Sequence, residues 1–251
     1  MAATETATAA RNDPDRLALL ADVLDVLIRF HDREIDRALL DGLRQYDVIE
    51  GLGSALVSRD SRSAVRDLAA ALDVLGSAPS ESALDDLAAD FADLYLTHGF
   101  RVSPSGSVWL TEDRLERQLP MFEVRDWYEH YGVTVPDWRV RADDHLVHEL
   151  QFLSHLCRMD DDVAAQDAGR FMDLHVLPWL PEFCRRAGER VSQPVYAAVM
   201  QMTLACLEEL RATLEDRTGR LREVRETGPL ETSRQPEPEP TPYMPGVSES
   251  W

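Results

Sequence analysis

The stretch that decides the fold is RADDHLVHELQFLSHL, residues 141–156. Its leucines recur at intervals of three and four, at Leu146, Leu150 and Leu153, which places them on one face of a helix. No segment of the chain shows a sustained alternation of apolar and polar residues, which is the period of a half-buried strand. The sequence therefore predicts an all-α fold.

Similar apolar stripes extend the helical pattern on both sides of this stretch. Asn12-Asp13-Pro14 predicts a helix start, because Asp and Asn cap helices and Pro favours the first helical position. The predicted helices are one after Pro14 with a stripe from Leu17 to Ile28, then Asp32–Val48, Ser61–Leu75, one after Ser80, one from Pro120 to Tyr131, one over 141–156, Val163–Ala187 broken at Pro178 and Pro181, and Pro194–Leu214. Between His98 and Leu110 an ordered loop is predicted. The core is expected around Leu24, Phe91, Leu150 and Leu204.

The two ends of the chain differ in composition from its centre. Residues 1–13 are rich in Ala and Thr and are predicted to be flexible. Residues 227–251 are rich in Pro and Glu and bury nothing, so a disordered or polyproline tail is predicted there. The chain between them, 14–226, is long enough to enclose one hydrophobic core, and a single helical domain is expected.

The charge balance excludes several classes of function. The chain has 46 acidic and 26 basic residues, a net charge of −20, and every basic residue is arginine. Nucleic-acid binding is not expected, because the phosphate backbone would be repelled. No apolar run approaches the roughly 18 residues of a membrane span, and residues 1–16 lack the pattern of a secretory signal. These features predict a cytoplasmic protein without stable membrane insertion, and the widely spaced Cys157, Cys184 and Cys206 predict reduced, buried thiols.

One cluster of residues could bind a metal. His145, His148 and Glu149 are close enough on a helix to hold zinc, which would suit a helical metal-dependent hydrolase. Their order, HxxHE, matches neither HExxH nor HxxEH, however. The alternative is that His148 and His155 are only polar or half-buried helix positions. No GxSxG, phosphate-binding or dinucleotide-binding glycine motif occurs.

Four segments in series resemble the TorD/DmsD/NarJ family of redox-enzyme maturation chaperones. They are residues 90–113, 127–133, 141–156 and 171–207, and the resemblance extends from Leu17 to Leu214. The most specific block is Asp144, His145, Leu146, Glu149, Leu150, Phe152 and Leu153. A second pattern consists of Phe171, His175, Trp179, Phe183 and Tyr196.

The resemblance implies a helical bundle that is not an enzyme and holds no cofactor. Proteins of this family bind the twin-arginine signal peptide of a molybdopterin oxidoreductase, such as a dimethyl sulfoxide reductase, assist cofactor insertion and delay export. As a monomer or a dimer, the chain would bind the apo-form of such a client. A different possibility is an acidic adaptor protein that acts through its tail.

The resemblance also implies a site for the signal peptide. The residues it indicates are Asp144, His145, Pro104, Ser107, Trp109 and Glu149. Asp144 is expected at the start of a helix, where its carboxylate could cap backbone N–H groups or bind a guanidinium. The loop departs from the family pattern Pro-Tyr-x-Ser, since residues 104–107 read Pro-Ser-Gly-Ser, and Trp109 is expected to supply the missing aromatic group.

The acidity itself leads to a prediction about salt. An acid excess combined with arginine as the only basic residue favours an origin in a salt-rich cytoplasm, where self-repulsion is screened. We expect dialysis from about 1 M potassium chloride into dilute buffer to lower the melting temperature by many degrees. A melting temperature that does not change with salt would contradict the halophilic origin.

Overall fold

The computed structural model describes residues 14–97 and 102–225, and within these ranges the fold is all-α, as predicted. Its eleven α-helices are α1 Pro14–Asp32, α2 Arg37–Gln45, α3 Val48–Ala55, α4 Arg59–Leu75, α5 Glu81–Phe91, α6 Ser107–Leu110, α7 Leu119–His130, α8 Leu146–Cys157, α9 Asp162–Phe171, α10 Leu180–Gly188 and α11 Pro194–Thr218. Helices α5 and α9 each continue into a π-helical turn, Ala92–Leu96 and Met172–Val176. The predicted flexible segment 1–13 and tail 227–251 lie outside the described residues.

The structure differs from the predicted elements in three places. The helix predicted over Asp32–Val48 is divided, because Asp36 accepts a hydrogen bond from the Leu39 N–H and begins the separate helix α2. A further short helix, α3, was not predicted; it follows Asp47, whose φ of 48° is left-handed. The loop predicted up to Leu110 also ends early, since its last four residues form α6.

Helix α8 lies in the core and packs against α1 and α9, while α11 packs against α4, α9 and α10. The leucine stripe of α8 is fully buried, as its helical periodicity predicts. Three of the four predicted core positions, Leu24, Phe91 and Leu150, are buried. The fourth, Leu204, is only partly buried, because it faces a groove between α4 and α11.

Buried polar groups join the helices across the core. His31 of α1 hydrogen-bonds the Tyr95 hydroxyl at 2.6 Å and the Thr203 hydroxyl at 2.7 Å, and burial lowers the pKa of His31 to about 3. It is therefore a neutral connector between α1, the first π-turn and α11. The three cysteines are free and buried, as predicted.

The strongest buried ion pair joins the second π-turn to α11. Both oxygens of Asp173 accept from Arg211, at 2.7 and 2.9 Å, and the Glu223 N–H donates to the same carboxylate at 2.8 Å. This pair fixes the segment after α11 against α9. Glu182 and Arg185 on α10 form a solvent-exposed ion pair, with which the buried pair can be compared.

We expect Asp173→Asn to destabilise the fold by about 3–5 kcal/mol, because the buried Arg211 loses its two-oxygen partner and keeps only the longer contact with Glu215 at 3.3 Å. Urea denaturation measures this change. The matched variant Glu182→Gln removes a carboxylate from a solvent-exposed pair and should have little effect. Equal effects of the two substitutions would contradict the structural role of the Asp173 pair.

Candidate peptide-binding site

The predicted site residues meet where the loop before α6 lies along the segment before α8. The Leu146 N–H donates to the Pro104 carbonyl at 2.8 Å, and the Gly106 N–H donates to the Asp144 carbonyl at 2.9 Å. Between these two bonds Ser105 and His145 face each other as an isolated antiparallel pair. We call this pairing of residues 102–107 with residues 143–146 the loop junction.

Asp144 has a different role from the one expected at the start of a helix. The residue that caps α8 is His145, whose Nδ1 accepts from the Val147 N–H at 3.1 Å. The Asp144 Oδ2 instead accepts from the N–H of Ser107, the first residue of α6, at 2.6 Å. Asp144 therefore holds the loop rather than its own helix, and of the two roles expected for it, the cap on α8 is not the one that the structure shows.

The small residues of the loop are required by the indole beneath them. A Cβ atom at Gly106 would lie only 3.1 Å from the Trp179 Nε1, which donates to the His175 carbonyl at 2.6 Å. Trp109 is also engaged, because its Nε1 donates to the Ser103 carbonyl at 2.8 Å. One face of the Trp109 ring carries the Arg186 guanidinium, 5.2 Å from the ring centroid. The loop is thus an ordered, mostly buried element.

Two carboxylates under the loop junction are buried without compensation. Glu149 is 0% exposed and Asp144 is 1% exposed. Neither Glu149 oxygen, nor the Asp144 Oδ1, has a hydrogen-bond partner among the described residues. Burial raises the pKa of Glu149 well above its ordinary value, and the charge of Asp144 raises it further. Burial also raises the pKa of Asp144, although its hydrogen bonds with Ser107 act in the opposite direction.

The neighbouring acid, Asp143, has its own cation. Its Oδ2 accepts from Arg125 of α7 at 2.8 Å, and its carbonyl accepts from the Tyr128 hydroxyl at 3.0 Å. The same guanidinium lies over the rings of Phe122 and Trp138, about 5 Å from each centroid. Arg125 therefore connects the acid segment to an apolar face of α7.

Sequence reasoning missed Arg125, Tyr128 and Trp179 as parts of this site. Arg125 and Asp143 are 18 positions apart, and no local pattern links them. The apolar pattern predicted the helix that contains Tyr128, but not its contact with the Asp143 carbonyl.

The residues of the hydrolase alternative do not converge. The His145 Nδ1 caps α8, and the His148 Nδ1 hydrogen-bonds the Ala142 carbonyl at 2.9 Å. Glu149 is buried beneath them. Within the described ranges no three His, Cys, Asp or Glu side chains are grouped as a metal site would require.

The described chain is a bundle of helices in which the loop junction brings most of the predicted site residues together. In the described part of the chain no helix has both the length and the apolarity needed to cross a membrane.

Comparison with known proteins gives the family. The family model described as nitrate reductase delta subunit matches residues 55–185, just over half of the chain. The chaperone protein TorD of Vibrio cholerae serotype O1 (strain ATCC 39541 / Classical Ogawa 395 / O395) is 28% identical over 199 residues, covering 76% of this chain and 83% of the relative. The chaperone protein TorD of Psychrobacter sp. (strain PRwf-1) is 29% identical over 194 residues, covering 73% and 86%. The chain belongs to the TorD/NarJ family of redox-enzyme maturation chaperones, and it is not an enzyme.

Replacing Glu149 by glutamine tests whether the buried Glu149 carboxyl makes the stability of the protein depend on pH. The unfolded chain ionises this carboxyl near its ordinary pKa of 4.5, whereas the folded protein retains the proton, so the stability contributed by this group falls as the pH rises. Glu149→Gln removes that dependence. The difference in melting temperature between Glu149→Gln and wild type should therefore shift in favour of the variant as the pH rises from about 5 to about 8. Each kcal/mol of difference in the free energy of unfolding corresponds to about 2–4 °C.

Calorimetry at several pH values measures this difference. Glu182→Gln serves as the control, because Arg185 and Arg186 lower the pKa of that exposed carboxyl to about 2, and its removal should bring no gain at high pH. A constant difference between wild type and Glu149→Gln would show that Glu149 is not buried as a neutral acid.

Proposed function

We propose that this chaperone binds the twin-arginine leader peptide and the apo-form of a molybdopterin oxidoreductase, such as a dimethyl sulfoxide or related reductase. It would hold this client in the cytoplasm for cofactor insertion and delay its export until the client is folded. The family membership supports the chaperone role, and the leader as ligand is our inference from the junction.

The single observation that carries the proposal is the set of acids at the loop junction. An arginine-rich leader needs carboxylates, because a guanidinium forms paired, charge-assisted hydrogen bonds with them. Asp144 offers one oxygen without a hydrogen-bond partner among the described residues, and Glu149 offers two. Pro104, Ser107, His145 and Trp109 frame these acids, and we assign all six residues to the peptide site.

An apolar surface adjoins the acids through Arg125. Leu119 and Phe122 lie three positions apart on α7 and are 49% and 46% exposed, and Trp138 is half-buried beside them. Large apolar side chains exposed together mark binding surfaces. The apolar stretch of a leader could pack on this face while its arginines reach the acids.

Replacing Asp144 by asparagine separates recognition from folding. The asparagine oxygen can still accept from the Ser107 N–H, so the loop junction should persist. The charge-assisted contact to an arginine, worth about 1.5–3 kcal/mol, would be weakened. We expect the affinity for a twin-arginine leader to fall by about tenfold or more.

Isothermal titration of the leader peptide into both proteins, at a salt concentration where both are folded, measures this loss. Asp67→Asn is the matched control, since it removes the same charge from the exposed face of α4. A third variant truncated after Thr227 distinguishes the adaptor alternative, in which the tail would carry the binding. Equal affinity of Asp144→Asn and wild type, with equal stability, would place the leader elsewhere.

A further inference from the structure

The acid pair of Asp144 and Glu149 differs from every other buried acid in the described part of the chain. Two of the others form buried ion pairs with arginine: Asp173 with Arg211 and Glu209 with Arg16. Asp143 binds Arg125, and Asp90 accepts from the N–H groups of Ser192 and Gln193. Only in the Asp144–Glu149 pair do buried carboxylate oxygens lack a hydrogen-bond partner among the described residues.

An uncompensated buried acid pair is costly, so it needs a reason that the core alone does not supply. Glu149 sits one turn into α8, where an apolar side chain would pack without this cost. A cation from outside the chain would satisfy all three oxygens, and a planar guanidinium has enough donors to reach two carboxylates at once.

Among the residues that the structure describes, the charged groups around the pair supply no such cation. Arg125 is paired with Asp143, and Arg141 is paired with Asp32 at 2.5 Å. The charge of Glu116, beyond the loop, adds to the negative potential at Asp144. The other titratable groups on the elements around the pair are Tyr128 of α7, His31 of α1, Tyr95 of the first π-turn, and His145 and His148 beside α8.

Burial disfavours the charged form of four of these groups. Burial raises the pKa of Tyr128 and of Tyr95 well above the ordinary value. Burial lowers the pKa of His148 and lowers that of His31 to about 3. The His145 Nδ1 accepts a hydrogen bond from the Val147 N–H.

We propose that Asp144 and Glu149 form a receptor for one guanidinium group, closed in the free protein by residues 102–107 and opened when a client arginine enters and displaces a proton. This inference rests on the proposed function and specifies how the same site would work. Both carboxylates are buried, so the guanidinium can reach these oxygens only when the loop moves, and binding the cation and breaking the Ser107 N–H bond to Asp144 would be one event.

Three hydrogen bonds join residues 102–107 to the segment before α8. Two are the backbone bonds with residues 144 and 146, and the third is the Ser107 N–H bond to the Asp144 carboxylate. The other hydrogen bonds of the loop, with Trp109, Glu116 and Gln118, do not involve that segment. The loop can therefore be ordered in the free protein and still separate from the acid pair when these three bonds are broken.

The proton balance follows from the burial of Glu149. In the free protein the carboxyl retains its proton, because burial raises its pKa. A guanidinium at hydrogen-bond distance favours the carboxylate, so the O–H bond breaks, the proton leaves to solvent, and the ion pair forms. Binding thus releases up to one proton, and the affinity should rise with pH until Glu149 is ionised in the free protein as well.

The first experiment is titration calorimetry of wild type and Glu149→Gln with a twin-arginine leader peptide, in buffers of different ionisation enthalpy. We expect wild type to release a fraction of a proton up to one proton on binding. Glu149→Gln keeps the shape of the side chain but should show no release, and its affinity should be at least about tenfold lower. A leader with both arginines replaced by glutamine should lose affinity for wild type and release no proton.

The outcomes separate the two proposals. If wild type binds no leader, the proposed function fails and this inference fails with it. If wild type binds the leader without proton release, and Glu149→Gln binds equally well, the function stands and the guanidinium receptor is overturned.

Amide hydrogen exchange of the wild-type protein tests the opening directly. In the free protein the N–H groups of Gly106, Ser107 and Leu146 are all hydrogen-bonded and should be protected. With saturating leader peptide we expect protection to fall at Ser107 and at the two neighbouring amides. Unchanged or increased protection at all three amides would show that the loop does not open.

Discussion

The hydrogen bond from the Ser107 N–H to the Asp144 carboxylate joins the loop to the segment just before the central helix α8, and the geometry of the site depends on it. It spans 37 positions of the chain and is flanked by the two backbone bonds of the loop junction. Because it is charge-assisted and buried, it is stronger than a bond between neutral groups. It also uses only one of the two Asp144 oxygens, which leaves the other without a hydrogen-bond partner among the described residues. One oxygen of the Asp144 side chain thus holds the loop, while the other is buried without a hydrogen-bond partner among the described residues.

The fold was largely predictable because helix formation leaves a local signature. The leucines of α8 and the stripe of α1 repeat with the helical period, and both are buried as the period requires. Boundaries were less predictable where two helices follow each other closely. The apolar pattern continues from Asp32 to Val48, so nothing in it reveals that Asp36 accepts from Leu39 and starts a new helix. Such a cap is recognised only once the backbone before it is known to be extended.

The residues that meet at the loop junction could be named from the sequence, but their arrangement could not, and their role in peptide binding stays a prediction. The family resemblance named Asp144, His145 and the loop, and the structure brings them together. It could not show that His145 rather than Asp144 caps α8, because both residue types can accept a hydrogen bond at that position. Nor could a linear pattern reveal that Arg125 neutralises Asp143 and leaves Asp144 without a cation. These assignments depend on which helices pack together, and they follow from the tertiary fold alone.

The high net charge and the buried acid pair act at different ranges. A charge of −20 spread over the surface attracts any basic segment, but mobile ions screen it within about 8 Å at physiological ionic strength. Surface acids therefore cannot distinguish one arginine-containing peptide from another. A carboxylate that is removed from water and ions is screened much less, and its preference for a guanidinium depends on geometry. Selectivity for a particular leader would then reside in Asp144 and Glu149, since the described arginines near them, Arg125 and Arg141, are already paired with other acids.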